Sequence, residues 1–232
     1  MENNNIIPPR PKLGYDEDQP TNVDIRSITQ FGDCFLVESK FDIDKLFKEI
    51  KPFKNKWAKY NPRKDWIKRD GLCILNERGK CGPGPALDSL GEWNKEHKTH
   101  WREPDFNVPT ELYKSSSELQ RVLGPIIKHC VRTHLLRLPP GGYFPPHRDH
   151  IYGNQDSFRL IYPIENGNPP TNIFLLEDRI LNFEMGKGHI IDTTKVHTLF
   201  NSSPSLDSIF VICNVTLNEE TIRWVQDNLS IR

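Results

Sequence analysis

The chain has 232 residues, and 31 Lys plus Arg balance 31 Asp plus Glu to a formal net charge of zero. That balance gives no electrostatic case for nucleic acid or an anionic membrane as partner, and no apolar run approaches the roughly 20 residues needed to cross a bilayer. The length suits one large domain, and the amino terminus carries no basic-then-apolar secretion signal, so the expected setting is cytoplasmic.

Residues 1–22 are polar and proline-bearing and read as an arm outside the folded body. The single domain expected over 23–232 divides into an N-terminal α+β part (23–130), a strand-rich core (131–217) and a closing helix (218–232). In the first part Ile25 to Ile28 and Cys34 to Glu38 read as short strands, and apolar residues at 43, 46, 47 and 50 predict a helix after Asp42. From Lys51 to Asn107 little period is visible apart from Leu72-Cys-Ile-Leu75, which predicts functional loops; Trp57 to Arg102, with Pro62-Arg63, offers lining for a substrate groove. Ser115 to Leu123 predicts a helix that Gly124-Pro125 bends or breaks before Ile126 to Cys130.

After Val131 the chain turns to short β-like runs: 131–138, 158–164, 172–177, 180–185, 189–193, 196–200 and 208–217. Asn166-Gly167, Asp178-Arg179 and Gly186-Lys-Gly188 separate several of them. Strands at this spacing predict a mainly β protein with flanking helices, folded as a double-stranded β-helix, the jelly roll of cupin-like barrels. Asn218 caps a final helix through Leu229, with Leu217 placed to staple Ile222. The five cysteines, Cys34, Cys73, Cys81, Cys130 and Cys213, form no C-x-x-C pair and an odd count, so neither a disulfide framework nor a zinc site is indicated.

The chemistry lies in Leu138-Pro-Pro-Gly-Gly-Tyr-Phe-Pro-Pro-His147-Arg148-Asp149 and in Asp192-Thr-Thr-Lys-Val-His197. Alternate residues of a strand share a face, so His147 and Asp149 can grip one ion, and the prolines before them fix the backbone that presents them. With His197 arriving from another strand, two imidazoles and one carboxylate make a mononuclear Fe(II) site with three adjacent open positions. Those positions suit a bidentate 2-oxo acid and dioxygen. His150 turns to the opposite face, and His189 is a competitor for the distal position better read as a satisfied structural histidine. His97, His100, His129 and His134 read as structural or solvent-facing.

The stretch from Arg137 through the Pro-Pro-Gly-Gly and Pro-Pro-His-x-Asp segments, then Phe158-Arg159-Leu-Ile-Tyr-Pro-Ile164, then His197-Thr-Leu-Phe-Asn-Ser-Ser203 before Ile209-Phe-Val-Ile212, resembles the aspartyl/asparaginyl β-hydroxylase-like branch of the Fe(II)/2-oxoglutarate dioxygenases. The likeness spans about residues 115–217. It implies that His147, Asp149 and His197 bind iron, that Arg159 binds a carboxylate of 2-oxoglutarate, and that a small-molecule or peptide C–H is hydroxylated. Substrates of the family include aspartyl and asparaginyl residues and free amino acids such as proline. The family usually places a second arginine about ten residues after the distal histidine, where this chain has Asp207 and Ser208. Lys195, Arg137 or Arg132 is then the replacement cation, or Arg159 serves alone, or the co-substrate is another oxo acid. A metal-binding cupin-like protein without turnover is the alternative reading of the same ligands.

Overall fold

Alternating side chains along long antiparallel strands decide which residues face a neighbouring sheet and which face helices. The computed structural model describes residues 25–149 and 157–230, so the arm expected over 1–22 and His150 lie outside the described residues. The N-terminal half contains α1 (Arg26–Thr29), β1 (Cys34–Lys40), α2 (Ile43–Ile50), β2 (Ala58–Lys59), β3 (Asp70–Cys73), β4 (Leu75–Asn76), α3 (Leu90–His97), β5 (Val108–Pro109), α4 (Glu111–Ser115) and α5 (Ser117–Leu123). There follow β6 (Cys130–Leu138), β7 (Tyr143–His147), β8 (Ser157–Glu165), β9 (Asn172–Leu176), β10 (Arg179–Leu181), β11 (Lys187–Ile191), β12 (His197–Asn201), β13 (Ser208–Thr216) and α6 (Glu219–Asp227).

The large sheet runs β1-β11-β8-β13-β6-β3-β2 and the smaller one β10-β9-β12-β7, with β4 and β5 paired separately. The two sheets form the jelly roll of a double-stranded β-helix. Leu136, Ile161, Ile191 and Phe210 of the large sheet meet Phe174, Leu176 and Leu199 of the small one in the layer between them. The opposite face of the large sheet, with Leu135, Leu160, Tyr162, Val211 and Val215, packs on Leu46 and Ile50 of α2, Leu119, Val122 and Leu123 of α5, and Val225 of α6. Burial on both faces explains why β6, β8 and β13 read as nearly continuous apolar runs. Each cap is local: Asp42 accepts from the Lys45 amide, Ser116 from that of Leu119, and Asn218 from that of Thr221.

Two expectations change. Ile25 to Ile28 belongs to α1, because residues three apart on a helical turn let Ile28 sit fully buried with Ile25 against the same core. The strand expected over 180–185 ends at Leu181, since the Asn168 side chain bonds both the amide (2.7 Å) and the carbonyl (2.8 Å) of Phe183 and pulls that residue out of a ladder. From the N-terminal part, β1, β2 and β3 are strands of the large sheet. Among the described residues no helix is long and apolar enough to cross a membrane.

Candidate metal centre

The Pro145-Pro146 pair, which reads as a loop in the sequence, lies inside β7, the edge strand of the small sheet. Proline has no N–H to give a ladder and is tolerated at edges and bulges. Between Leu199↔Phe144 and His197↔His147 the β12–β7 register shifts by one residue, a bulge at the prolines. Its effect is to set His147 directly across from His197, with ring centroids 4.2 Å apart. Asp149 lies just past the strand, where its amide bonds the Thr193 carbonyl at 2.8 Å.

One ligand atom from each of His147, Asp149 and His197 lies within 4.8 Å of the others. Both imidazoles are oriented alike. His147 Nδ1 lies 2.8 Å from the Pro145 carbonyl and His197 Nδ1 lies 3.0 Å from that of Lys195. A carbonyl only accepts, so each Nδ1 carries the proton and each Nε2 presents a lone pair, the tautomer a metal requires. Burial above all, and then the neighbouring His147, holds the His197 pKa below the usual histidine value and favours the neutral ligand. Asp149 is divided in the same way: Oδ1 stands 3.7 Å from His147 Nε2, while Oδ2 is held by Arg159 Nε at 3.1 Å.

The three residues line a cavity of about 120 Å³. Its floor carries Arg132 and His134 of β6, Arg159 of β8 and Asn214 of β13, and its walls include Tyr60, Phe144 and Thr193. Among the described residues, Arg159 Nη1 and Thr193 Oγ1 are buried with no hydrogen-bond partner. Two orphaned polar groups beside a three-ligand cluster are the donors a bound oxyanion would satisfy. The donor set, two imidazoles and one carboxylate, therefore fits a divalent ion of the non-heme iron type, with an anionic second ligand beside it.

The other expected cations are engaged elsewhere. Lys195 Nζ pairs with Asp33 at 2.9 Å and Glu177 at 3.7 Å, and does not line the cavity. Arg137 holds Asp70 at 2.7 Å and stacks over Trp57, also off the cavity. Arg132 does line it, but its guanidinium is used by the Ala86 carbonyl (2.8 Å), Glu103 (2.6 Å) and the Asp88 carbonyl. Burial pushes the Glu103 pKa up, yet Arg132 and Arg159 outweigh that and hold the carboxyl below its usual value. Of the candidates, Arg159 alone keeps a buried N–H without a hydrogen-bond partner among the described residues.

His189 is structural: Nδ1 lies 2.9 Å from the Lys187 carbonyl and Nε2 accepts the Glu184 amide at 3.1 Å. His134, expected to be structural or solvent-facing, is buried with its Nδ1 on the Arg132 carbonyl and also lines the cavity, its ring 5.3 Å from that of Tyr60. His97, His100 and His129 lie outside the cavity. Of the cavity-lining residues, Tyr60 falls in the Trp57–Arg102 stretch expected to line a groove, while Thr193 and His134 are not among the expected site residues. The alternation of Arg132, His134 and Leu136 along β6 was the available signal, masked by a bulge at which Arg132 takes φ +43° and sends its amide to Phe106.

No family model matches the chain, and no curated protein matches it. Among solved structures it is similar to a Pseudomonas putida prolyl-4-hydroxylase, at 9% identity over 81% of this chain and 94% of that one, with a TM-score of 0.44. It is also similar to an oxidoreductase of the 2OG-Fe(II) oxygenase family from Burkholderia pseudomallei, at 9% identity over 44% and 56% of the two chains and a TM-score of 0.35. A predicted oxalate decarboxylase from Thermotoga maritima aligns at 16% identity over 41% of this chain and 74% of that one, with a TM-score of 0.30. Likenesses at these identities and TM-scores assign no residue, substrate or activity.

Proposed function

We propose that this protein is an Fe(II)- and 2-oxoglutarate-dependent oxygenase, of the aspartyl/asparaginyl β-hydroxylase-like kind, that hydroxylates a C–H of an amino-acid side chain, free or within a peptide. The observation that carries the reading is the convergence of His147, Asp149 and His197, with both Nε2 lone pairs set by backbone bonds, beside the orphaned Arg159 Nη1 and Thr193 Oγ1. Iron with 2-oxoglutarate and dioxygen would supply the oxidation, the oxo acid leaving as succinate and carbon dioxide.

The chain's own contribution is placement. His147, Asp149 and His197 would hold the ion, with the cavity they line beside it for the oxo acid. Arg159 fixes the Asp149 carboxylate through Nε and offers Nη1 to a carboxylate of the oxo acid, with the Thr193 hydroxyl as a second donor. One carboxylate cannot neutralise a divalent ion, so the centre stays attractive to an anion. Leu136, Ile161, Phe174 and Leu199 line the cavity with apolar surface, excluding the water and stray reductants that would intercept an oxidising species.

Anaerobic titration with Fe(II) and then 2-oxoglutarate should give a weak visible charge-transfer band, and His147→Ala should abolish it. A wild type without the band, or an undiminished band in the variant, overturns the reading. Succinate release across a panel of free amino acids and peptides separates turnover from binding and identifies the substrate.

A further inference from the structure

From Lys45 to Lys68 the chain carries nine Lys and Arg against two acids, Glu49 and Asp65, a local surplus of seven in a chain whose total is zero. Charges more than about 10 Å away are screened at 0.1 M salt, so the zero average does not describe the field over this stretch. Lys45 pairs with Glu118, and Arg63 with Asp88 and Glu96. Lys48, Lys51, Lys54, Lys56, Lys59 and Lys68 are exposed, and none of them holds a carboxylate among the described residues. Elsewhere in the chain Arg121, Lys128, Arg179, Lys187 and Lys195 each do.

The fold holds these ammonium groups together. Phe53 and Trp57 pack against the core and fix a 3-10 helical turn (Lys51–Lys56) whose lysines face water. Residues three apart lie one above another on such a turn, and like charges at that spacing repel, so Lys51 and Lys54 call for an anion between them. Lys59 ends β2, the edge strand of the large sheet, and the next residue, Tyr60, lines the cavity. Its Nζ lies 3.4 Å from the Asp65 carbonyl, beside Trp66. There the Ile67 amide bonds the Lys64 carbonyl at 2.9 Å, a turn that buries Ile67 and leaves Trp66 68% exposed, the most exposed large hydrophobic side chain among the described residues.

Unneutralised lysines beside an exposed indole are the two parts of a single-strand surface: point charges for a phosphate backbone and a flat ring for a base. Neither nearby arginine offers the planar fork that reads a base edge, because Arg63 is held by two carboxylates and Arg69 is buried. An acidic polypeptide would meet the charges but would leave Trp66 without a use. We propose that Lys48 to Lys68 form a sequence-independent binding surface for single-stranded nucleic acid, in which the lysines hold phosphates and Trp66 stacks on a base. This surface is separate from the oxygenase reading and requires no metal.

The test follows the anisotropy of labelled oligo(dT) and oligo(U), each about 20 nucleotides long, on titration with the full chain between about 50 and 200 mM salt. At least one strand should bind, the tighter naming the source, and the logarithm of its affinity should fall with that of salt with a slope of about −4 for six lysines. K51Q/K54Q/K56Q should flatten that slope by about 2, and W66A should weaken binding about fivefold or more at fixed salt. K128Q, which removes a lysine outside the surface, should change neither. No binding of either strand at about 50 mM salt, a slope unmoved in the triple variant, or undiminished binding by W66A overturns the proposal. The remaining two comparisons need no variant, so they stand even if a substituted chain folds poorly. A duplex of the same length bound as tightly as the single strand would remove the role of Trp66 and overturn it. Polyglutamate displacing the strand at equal charge would also overturn it, making the partner an acidic polypeptide.

Discussion

Arg159→Gln separates the two jobs that the proposed function gives one side chain. Its Nε holds Asp149 Oδ2 at 3.1 Å, and its Nη1 is buried without a partner among the described residues. Loss of a hydrogen bond that orients a metal ligand typically costs 10- to 100-fold in metal affinity, about 1.4 to 2.7 kcal/mol. Loss of a charge-assisted bond to the oxo acid should cost about 2 to 3 kcal/mol more, on the order of 100-fold in 2-oxoglutarate affinity measured at saturating Fe(II). The assay is the anaerobic titration in two stages, metal first and 2-oxoglutarate second, so each loss is read separately. If 2-oxoglutarate binds Arg159→Gln within about twofold of wild type, the co-substrate anchor is elsewhere and the reasoning from the orphaned Nη1 is refuted.

Lys195→Ala should leave 2-oxoglutarate affinity unchanged in the same titration, because Asp33 and Glu177 hold that ammonium off the cavity; a tenfold loss, about 1.4 kcal/mol, would reinstate it as the anchor. His189 should make the fold acid-sensitive. Burial pushes its pKa down to about 4, and protonating Nε2 would set an N–H against the Glu184 amide. The unfolded chain takes up that proton below about 6.5, so stability should fall as pH drops from 6.5 towards 4, by about 3 kcal/mol in all. Urea midpoints across that range should slope less in His189→Asn, and identical slopes would show that the histidine does not titrate as its surroundings dictate. Glu103→Gln leaves the Arg132 guanidinium without its anion beneath the cavity, and it should destabilise the protein by about 3 kcal/mol in chemical unfolding.

What the sequence exposed and what it hid follow from how local each signal is. The ligand motif is legible because His147, Asp149 and His197 sit in short strings with strong chemical character, and β6, β8 and β13 announce themselves by apolar runs buried on both faces. Helix α3 went unread because none of its residues is buried, so Leu90–His97 carries no apolar stripe. β7 reads as a loop because two of its five residues are prolines, and only its place at a sheet edge makes a strand of it. Thr193 comes beside the three candidate ligands through contact between distant segments, its carbonyl taking the Asp149 amide, which no local pattern records.

The bulge at Pro145-Pro146 also bears on how the protein meets its neighbours. A sheet edge is a template for any passing strand, and β7 is such an edge, carrying the candidate ligand His147 at its end. Both prolines are exposed and lack the N–H that strand addition would need. The residues that bring His147 opposite His197 thus also protect that edge from aggregation, keeping another polypeptide from zipping onto it beside His147.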